Sequence, residues 1–555
     1  MSRAYRLLLA VLGLLATLSG PVAAQGGEAG YVIATHYPAL GGVDPAPRDA
    51  IPAAYGVYNT RQDDYRAVNR GRAEAVRRRI EQDTGVSVQL LNDWAAVVEG
   101  SEALQIVNNV PIQGALYTLF LPPGWTRQAK MAVLLSGNGA GTSNNSRLYS
   151  EPDIVPAQIA ALSVRGGRRG MIVAISNCGG TESQGVDEPT LRSVGAFFDF
   201  IDANGGDKYN AITAGGSRGG GTALVWAANP LDLDYTVHSV FAAVPPTHYG
   251  SLAQTSILTY PSMIRIGELI SHDPDAWRYD HGGWNPATVG PYLEILFGTD
   301  DPEAANARGP IGLAERLLGK QVWLAAGAHD AFFPLSPFLA FDRRLTELGV
   351  HHGTVITLAS GHELSRFWMR TTLLYLDLAA RGLRLPLPGG RFYLIDADPR
   401  QDDEVPLADF LAERGIDADP TELPVIAQFP YRAGVGNPAT IEVCGTPGDA
   451  VTLALADAAG QVVYQRSGVI DELECASETI TVDLPPGTYY WSLTVNGQAV
   501  NPYNTPTRGD DGCGLRAVTI VTEEQPAPET LYAFSRDMSF GLDEYSGQPD
   551  TCPVD

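Results

Sequence analysis

The stretch YNAITAGGSRGGGTALVWAANP, residues 209–230, runs from an apolar strand through a glycine-rich turn into a helix-forming segment, with Ser217 on the turn. A serine held on a sharp turn between strand and helix needs neighbours without a Cβ, so that the two elements can approach closely. Gly215, Gly219 and Gly220 meet that need. Such a turn exposes the hydroxyl at the C-terminal edge of a sheet, near a helix N-terminus whose free N–H groups favour developing negative charge. With 60 glycines in 555 residues, Gly-x-Ser-x-Gly arises by chance roughly 0.4 times in a chain of this composition. The weight of the motif therefore lies in its position after a strand and before a helix.

Around it, short apolar runs alternate with helical stretches: MAVLLSG (131–137), GMIVAIS (170–176), VHSVFAAVPP (237–246), QVWLAAGAHD (321–330) and HGTVITLASGH (352–362). Continuous apolar strands separated by helices indicate a mostly parallel sheet covered on both faces, an α/β fold. Strand-like patterns from Val86 to Trp125 open the sheet, and a helix is expected from about 62 to 83, with Arg77, Arg78 and Arg79 on its solvated face. The interval after Val244 is too long for a simple connection and leaves room for a lid at about 247–318. It holds Tyr249, Tyr260, Trp277, Tyr279, Trp284 and Tyr292, each read as core before pocket lining.

A hydroxyl nucleophile needs a base, and the base needs an orienting acid. His362 follows the last strand and Asp330 follows the strand before it, giving the chain order Ser217, Asp330, His362. Asp301 and Asp342 compete for the acid's place; His351 and His352, ahead of the strand, are expected at the surface. Arg218 and one of Asn138 or Gly139, in the glycine-rich loop after MAVLLSG, would supply backbone N–H donors for an oxyanion. His272-Asp273-Pro274-Asp275 reads as a turn rather than a metal site, and neither a metal nor a cofactor is expected.

In this order and spacing, residues 111–385 resemble an α/β-hydrolase catalytic domain, and the Gly-Gly-Ser-Arg-Gly-Gly turn is similar to the elbows of prolyl-oligopeptidase-type enzymes and secreted esterases. The resemblance implies that Ser217 attacks a carbonyl, His362 carries the proton and Asp330 fixes the imidazole. The chain has Ser136-Gly137-Asn138-Gly139 where many relatives have a His-Gly pair. Ester hydrolysis is the leading expectation, on a small-molecule or polymeric ester. A peptidase or amidase of prolyl-oligopeptidase type and a polyester depolymerase stand beside it, and a non-catalytic binding protein last. A β-propeller has no room in the 85 or so residues ahead of the hydrolase region.

Arg3 and Arg6, the apolar run from Leu7 to Leu18 and the small residues to Ala24 read as an export signal, residues 1–24, which predicts a secreted or periplasmic protein. The run is shorter than the roughly 20 residues that span a bilayer, so no membrane insertion is expected. A formal charge of −25 argues against nucleic acid as a partner.

Residues 25–110 are read as a helix and strand extension and 386–424 as a linker. Residues 425–523 alternate strands with Gly, Asp and Pro turns, the pattern of an immunoglobulin- or fibronectin-like β-sandwich, and 524–555 form an acidic tail. The sandwich could attach the enzyme to a surface or polymer; Pro485 to Trp491 carries its resemblance, with Trp491 read first as core. Cys444 is expected to pair with Cys475 and Cys513 with Cys552, leaving Cys178 free.

Overall fold

The computed structural model describes residues 77–137 (less 92 and 114), 154–176, 188–250 and 299–396 (less 300, 329, 331, 332, 334 and 359–364). Between 404 and 521 it describes the strands named below and some of the segments joining them. Residues 1–24, most of the expected lid, Cys178, Cys513, Cys552 and the acidic tail lie outside the described residues.

Eleven strands form one mixed sheet: β1 (Val88–Leu91), β2 (Leu104–Ile112), β3 (Ala115–Leu121), β4 (Met131–Ser136), β5 (Met171–Ser176), β6 (Gly206–Gly216), β7 (Val237–Ala243), β8 (Gln321–Gly327), β9 (His351–Thr357), β10 (Arg391–Asp396) and β11 (Glu404–Pro406). Their spatial order is β1-β2-β3-β5-β4-β6-β7-β8-β9-β10-β11. β2, β3 and β5 pair antiparallel, whereas β5, β4, β6, β7, β8, β9 and β10 pair parallel. The apolar runs read from the sequence coincide with these central strands.

Six α-helices lie wholly within the described residues: α1 (Ile154–Leu162), α2 (Glu188–Asp202), α3 (Arg218–Ala228), α4 (Pro302–Arg308), α5 (Leu335–Leu348) and α6 (Arg366–Ala380). The strand pleat sends alternate side chains to opposite faces. Met131, Val133 and Leu135 therefore enter one core with α2, α3 and α5, while Ala132 and Leu134 enter a second with α1 and α6. Burial on both faces is why these strands read as unbroken apolar runs.

The sheet takes in strands on both sides of the expected boundaries at 110 and 385. β1 and β2 extend one edge, and β10 and β11, from the stretch expected to be a linker, extend the other. Residues 77–84 are helical, and Arg77 and Arg79 reach Glu81 and Asp83 at 2.7 and 2.6 Å, one turn on, while Ile80 is buried.

His352 is not at the surface. It is 2 % exposed and faces Asp342 of α5 at 3.3 Å, because β9 packs its alternate side chains under that helix. His351 is half-buried, with Nε2 bonded to the Leu385 carbonyl at 2.9 Å.

Beyond this sheet, β12 (Ile426–Gln428), β14 (Pro438–Cys444) and β17 (Cys475–Thr481) form one antiparallel sheet. β13 (Arg432–Gly434), β15 (Ala450–Ala456), β16 (Val462–Val469), β18 (Gly487–Val495), β19 (Gln498–Val500) and β20 (Ala517–Val521) form another. Cys444 and Cys475 stand opposite each other on β14 and β17 and are joined by a disulfide, as expected. The β18–β19 hairpin turns on Asn496 and Gly497, both at positive φ, the Asn-Gly turn that matches strand twist. The side chain of Trp491 lies outside the described residues. No helix among the described residues is long and apolar enough to cross a membrane.

Candidate active site

The parallel strands end together at one edge of the sheet. Gly216 at the end of β6 pairs with Ala243 at the end of β7, Ala243 with Ala325 of β8, and Gly327 of β8 with Thr357 at the end of β9. Residues that follow β6, β8 and β9 thus leave from neighbouring positions, although more than a hundred residues separate the first from the others in the chain.

Ser217 is the N-cap of α3, at φ 55° and ψ −132°. That is forbidden ground for most residues with a side chain, and non-glycine residues held there cost about 1–3 kcal/mol. Its N–H donates to the Ala243 carbonyl at 2.9 Å and its carbonyl accepts from Gly220 N at 2.9 Å, so the backbone is pinned from both sides. The side chain caps nothing in the helix, and the residue is half-buried.

Close approach of strand and helix explains the glycines. A Cβ on Gly215 would lie 2.3 Å from the Gly219 carbonyl carbon and oxygen, and one on Gly137 would lie 2.6 Å from the same oxygen. Both neighbours are backbone and cannot swing away. Gly215→Ala is expected to lower stability by about 1–3 kcal/mol, as overpacking does, and to distort the turn. Urea midpoints should show it, with Gly390→Ala, where a Cβ meets nothing within 4 Å, as the unperturbed control.

Arg218 opens α3, so its N–H belongs to the first turn, whose amides have no acceptor within the helix. Gly137, just past β4, packs against the same turn and donates to the Ala214 carbonyl at 2.8 Å. Asn138 and Gly139 lie outside the described residues, as does His362, which falls between β9 and α6. Asp330, just past β8, is 2 % exposed; its N–H donates to Gly327 at 3.2 Å and its Oδ1 accepts from Phe333 N at 3.0 Å.

The two competing carboxylates have other work. Asp301 caps α4, accepting from Glu303 N at 3.0 Å. Asp342 is enclosed by His352, Arg391 and Thr354, away from the strand ends. Of the three carboxylates, Asp330 is the one that stands just past β8 at the edge where β6 and β9 end.

The sequence reading missed His248 and placed Tyr249 in the lid. Both follow β7 at the same edge of the sheet, and that position was the available signal. His248 is half-buried, and burial lowers its pKa. Tyr249 is fully buried, packed against Gly221 and Gly309, where burial pushes its hydroxyl pKa far up. It belongs to the core, and the other lid aromatics lie outside the described residues. Among the described residues no His, Cys, Asp and Glu group could hold a metal.

No family model and no curated protein matches the chain by sequence. Among solved structures, a puromycin hydrolase aligns at 17% identity and a TM-score of 0.32, covering 49% of this chain and 38% of its own. An inhibited esterase B from Lactobacillus rhamnosis aligns at 14% and 0.28, covering 43% and 70%. A Pyrococcus horikoshii acylaminoacyl peptidase aligns at 14% and 0.33, covering 52% and 42%. The chain thus spans about two-fifths of the length of the puromycin hydrolase. At such scores the likeness adds nothing to the strand order and the elbow, on which the fold assignment stands. The order β2-β3-β5-β4-β6-β7-β8-β9, with a serine on the strained turn between β6 and α3 and an acid after β8, is that of an α/β-hydrolase, and the chain has that fold.

Proposed function

We propose that this chain is an exported serine hydrolase that cleaves carboxylic esters through an acyl-enzyme. The observation that carries the reading is the positive φ of Ser217 on a turn built from glycines, because strain of this kind persists where an exposed, oriented hydroxyl is needed. Ser217 Oγ would attack the ester carbonyl while His362 takes its proton. Asp330, buried beside the end of β9, would hold the imidazole with its other nitrogen toward Ser217. The oxyanion would be met by the Arg218 N–H and by an N–H of Asn138 or Gly139. The imidazolium then returns its proton to the leaving alcohol, and water repeats the sequence on the acyl-enzyme.

The test is labelling with a fluorophosphonate, followed by peptide mapping, together with turnover of p-nitrophenyl esters of increasing acyl length and of chromogenic peptide amides. Stoichiometric label on Ser217 with ester turnover and inert amides is the expected result. Comparable kcat/KM on amides would replace the ester reading by the peptidase one. Absence of both label and turnover would overturn the hydrolase reading altogether.

A further inference from the structure

A cavity of about 940 Å³ opens at the opposite edge of the sheet, among the first residues of β4, β5 and β6 and the last turns of α1 and α6. We propose that it binds an amphiphilic anion, an aliphatic chain ending in a carboxylate or phosphate. The proposal is independent of the hydrolase reading, since Ser217 stands at the other ends of these strands.

Charge comes first. The cavity is lined by Lys130, Arg165, Arg168, Arg169 and Arg381 against two carboxylates, Asp207 and Asp377, in a chain whose formal charge is −25. Arg168 and Arg381 share Asp377, at 2.7 and 3.9 Å, and Lys130 is taken by Asp202 at 2.6 Å. Among the described residues, Arg165 donates to the Thr84 carbonyl and, like Arg169, makes no ion pair. Two guanidiniums therefore keep donors for an incoming anion, and the planar fork suits a carboxylate or phosphate held by two parallel bonds.

Their presentation is built into the backbone. Gly166, Gly167 and Gly170 stand at φ 71°, 75° and 87°, so Arg165-Gly-Gly-Arg-Arg-Gly170 makes a tight turn that sets three arginines on one rim.

The walls are apolar. Ile159 and Leu162 of α1 and Leu373 of α6 are half-buried, with Met171 and Leu376 buried behind them. A small inorganic anion would leave this surface wet, and a neutral lipid would leave the guanidiniums unused. An aliphatic anion satisfies both, in a space of the size that small-molecule sites have.

Calorimetric titration of the full chain with decanoate and, separately, with decyl phosphate tests this. Saturable binding that weakens in high salt is expected for at least one of them, and the tighter of the two identifies the head group. Arg165→Ala with Arg169→Ala should raise the Kd tenfold or more, since charge-assisted bonds are lost. Both side chains are exposed, and an unchanged melting point without ligand will show that the fold survives. Arg169→Ala alone provides the same readout should Arg165 support the turn. The proposal is overturned if neither anion binds, if the arginine variants bind as the unaltered chain does, or if decanol or decyltrimethylammonium binds as tightly.

Discussion

Ser217→Gly is expected to melt above the unaltered protein and to hydrolyse no ester. At φ 55° the serine carries a Cβ in a region that glycine occupies freely, so the substitution removes strain of about 1–3 kcal/mol. Glycine's greater freedom in the unfolded chain takes back about 0.4–1 kcal/mol, leaving a net gain of about 1 kcal/mol. Ser217→Ala keeps the Cβ and the strain. Its stability should match the unaltered protein, while ester turnover falls by roughly 10⁴–10⁶, as loss of a triad nucleophile requires. Urea unfolding and p-nitrophenyl ester assays on the three proteins separate the two effects. If the glycine variant were no more stable, the turn would not be strained, and the observation on which the functional reading rests would be gone.

Asp342→Ala should destabilise the fold more than Gly215→Ala does. Asp342 on α5 is 2 % exposed; it accepts from Arg391 Nε at 2.6 Å and from the Thr354 hydroxyl, and faces His352 Nε2 at 3.3 Å. His352 Nδ1 points to the Val350 carbonyl at 3.0 Å, so both ring nitrogens face acceptors and the ring is best satisfied as imidazolium. Removing it takes away the carboxylate that His352 and Arg391 both face, and breaking a buried ion pair in this way costs about 3–5 kcal/mol.

The pH dependence follows from the two directions of shift. Burial raises the Asp342 pKa, but His352, Arg391 and Thr354 outweigh it and hold the carboxyl below its ordinary value. Burial lowers that of His352, but Asp342 and the Val350 carbonyl outweigh it and hold the imidazole above its ordinary value. The Asp342 contribution is present above the unfolded carboxyl pKa, about 3.9, and is lost as pH falls through the lower folded value. The His352 contribution is present below the unfolded imidazole pKa, about 6.5, and is lost as pH rises through the higher folded value. The cluster therefore stabilises most between these limits. In Asp342→Asn, a scan of melting point against pH should lose the alkaline decline, because burial and the Arg391 charge then lower the His352 pKa against the Val350 carbonyl alone.

The central strands and the elbow were legible because burial on both faces leaves a continuous apolar run, and because a forced turn leaves glycines at fixed offsets from Ser217. His352 was not. A histidine at the start of a strand reads as exposed unless one knows that α5 crosses above it with Asp342. The β10–β11 edge of the sheet was equally hidden. β10 is six residues long in a turn-rich stretch, and only its pairing with β9 distinguishes it from a loop. Asp330 was placed ahead of Asp301 and Asp342 by its position after a strand, whereas the cap on α4 and the buried cluster on α5 that occupy the other two could not be read from the sequence. The cavity was unreadable because its wall is completed by α6, some two hundred residues beyond the stretch that carries Arg165, Arg168 and Arg169.

The pairing of β10 on β9 limits how the protein can be divided. A catalytic fragment ending at 385 would strip β9 of its neighbour and leave a row of N–H and C=O groups open to the same strand of another copy. It would also remove Arg391 from Asp342. Such a fragment should aggregate where one ending after Pro406 stays monodisperse, so the smallest independent unit reaches some twenty residues past the point at which the sequence pattern changes.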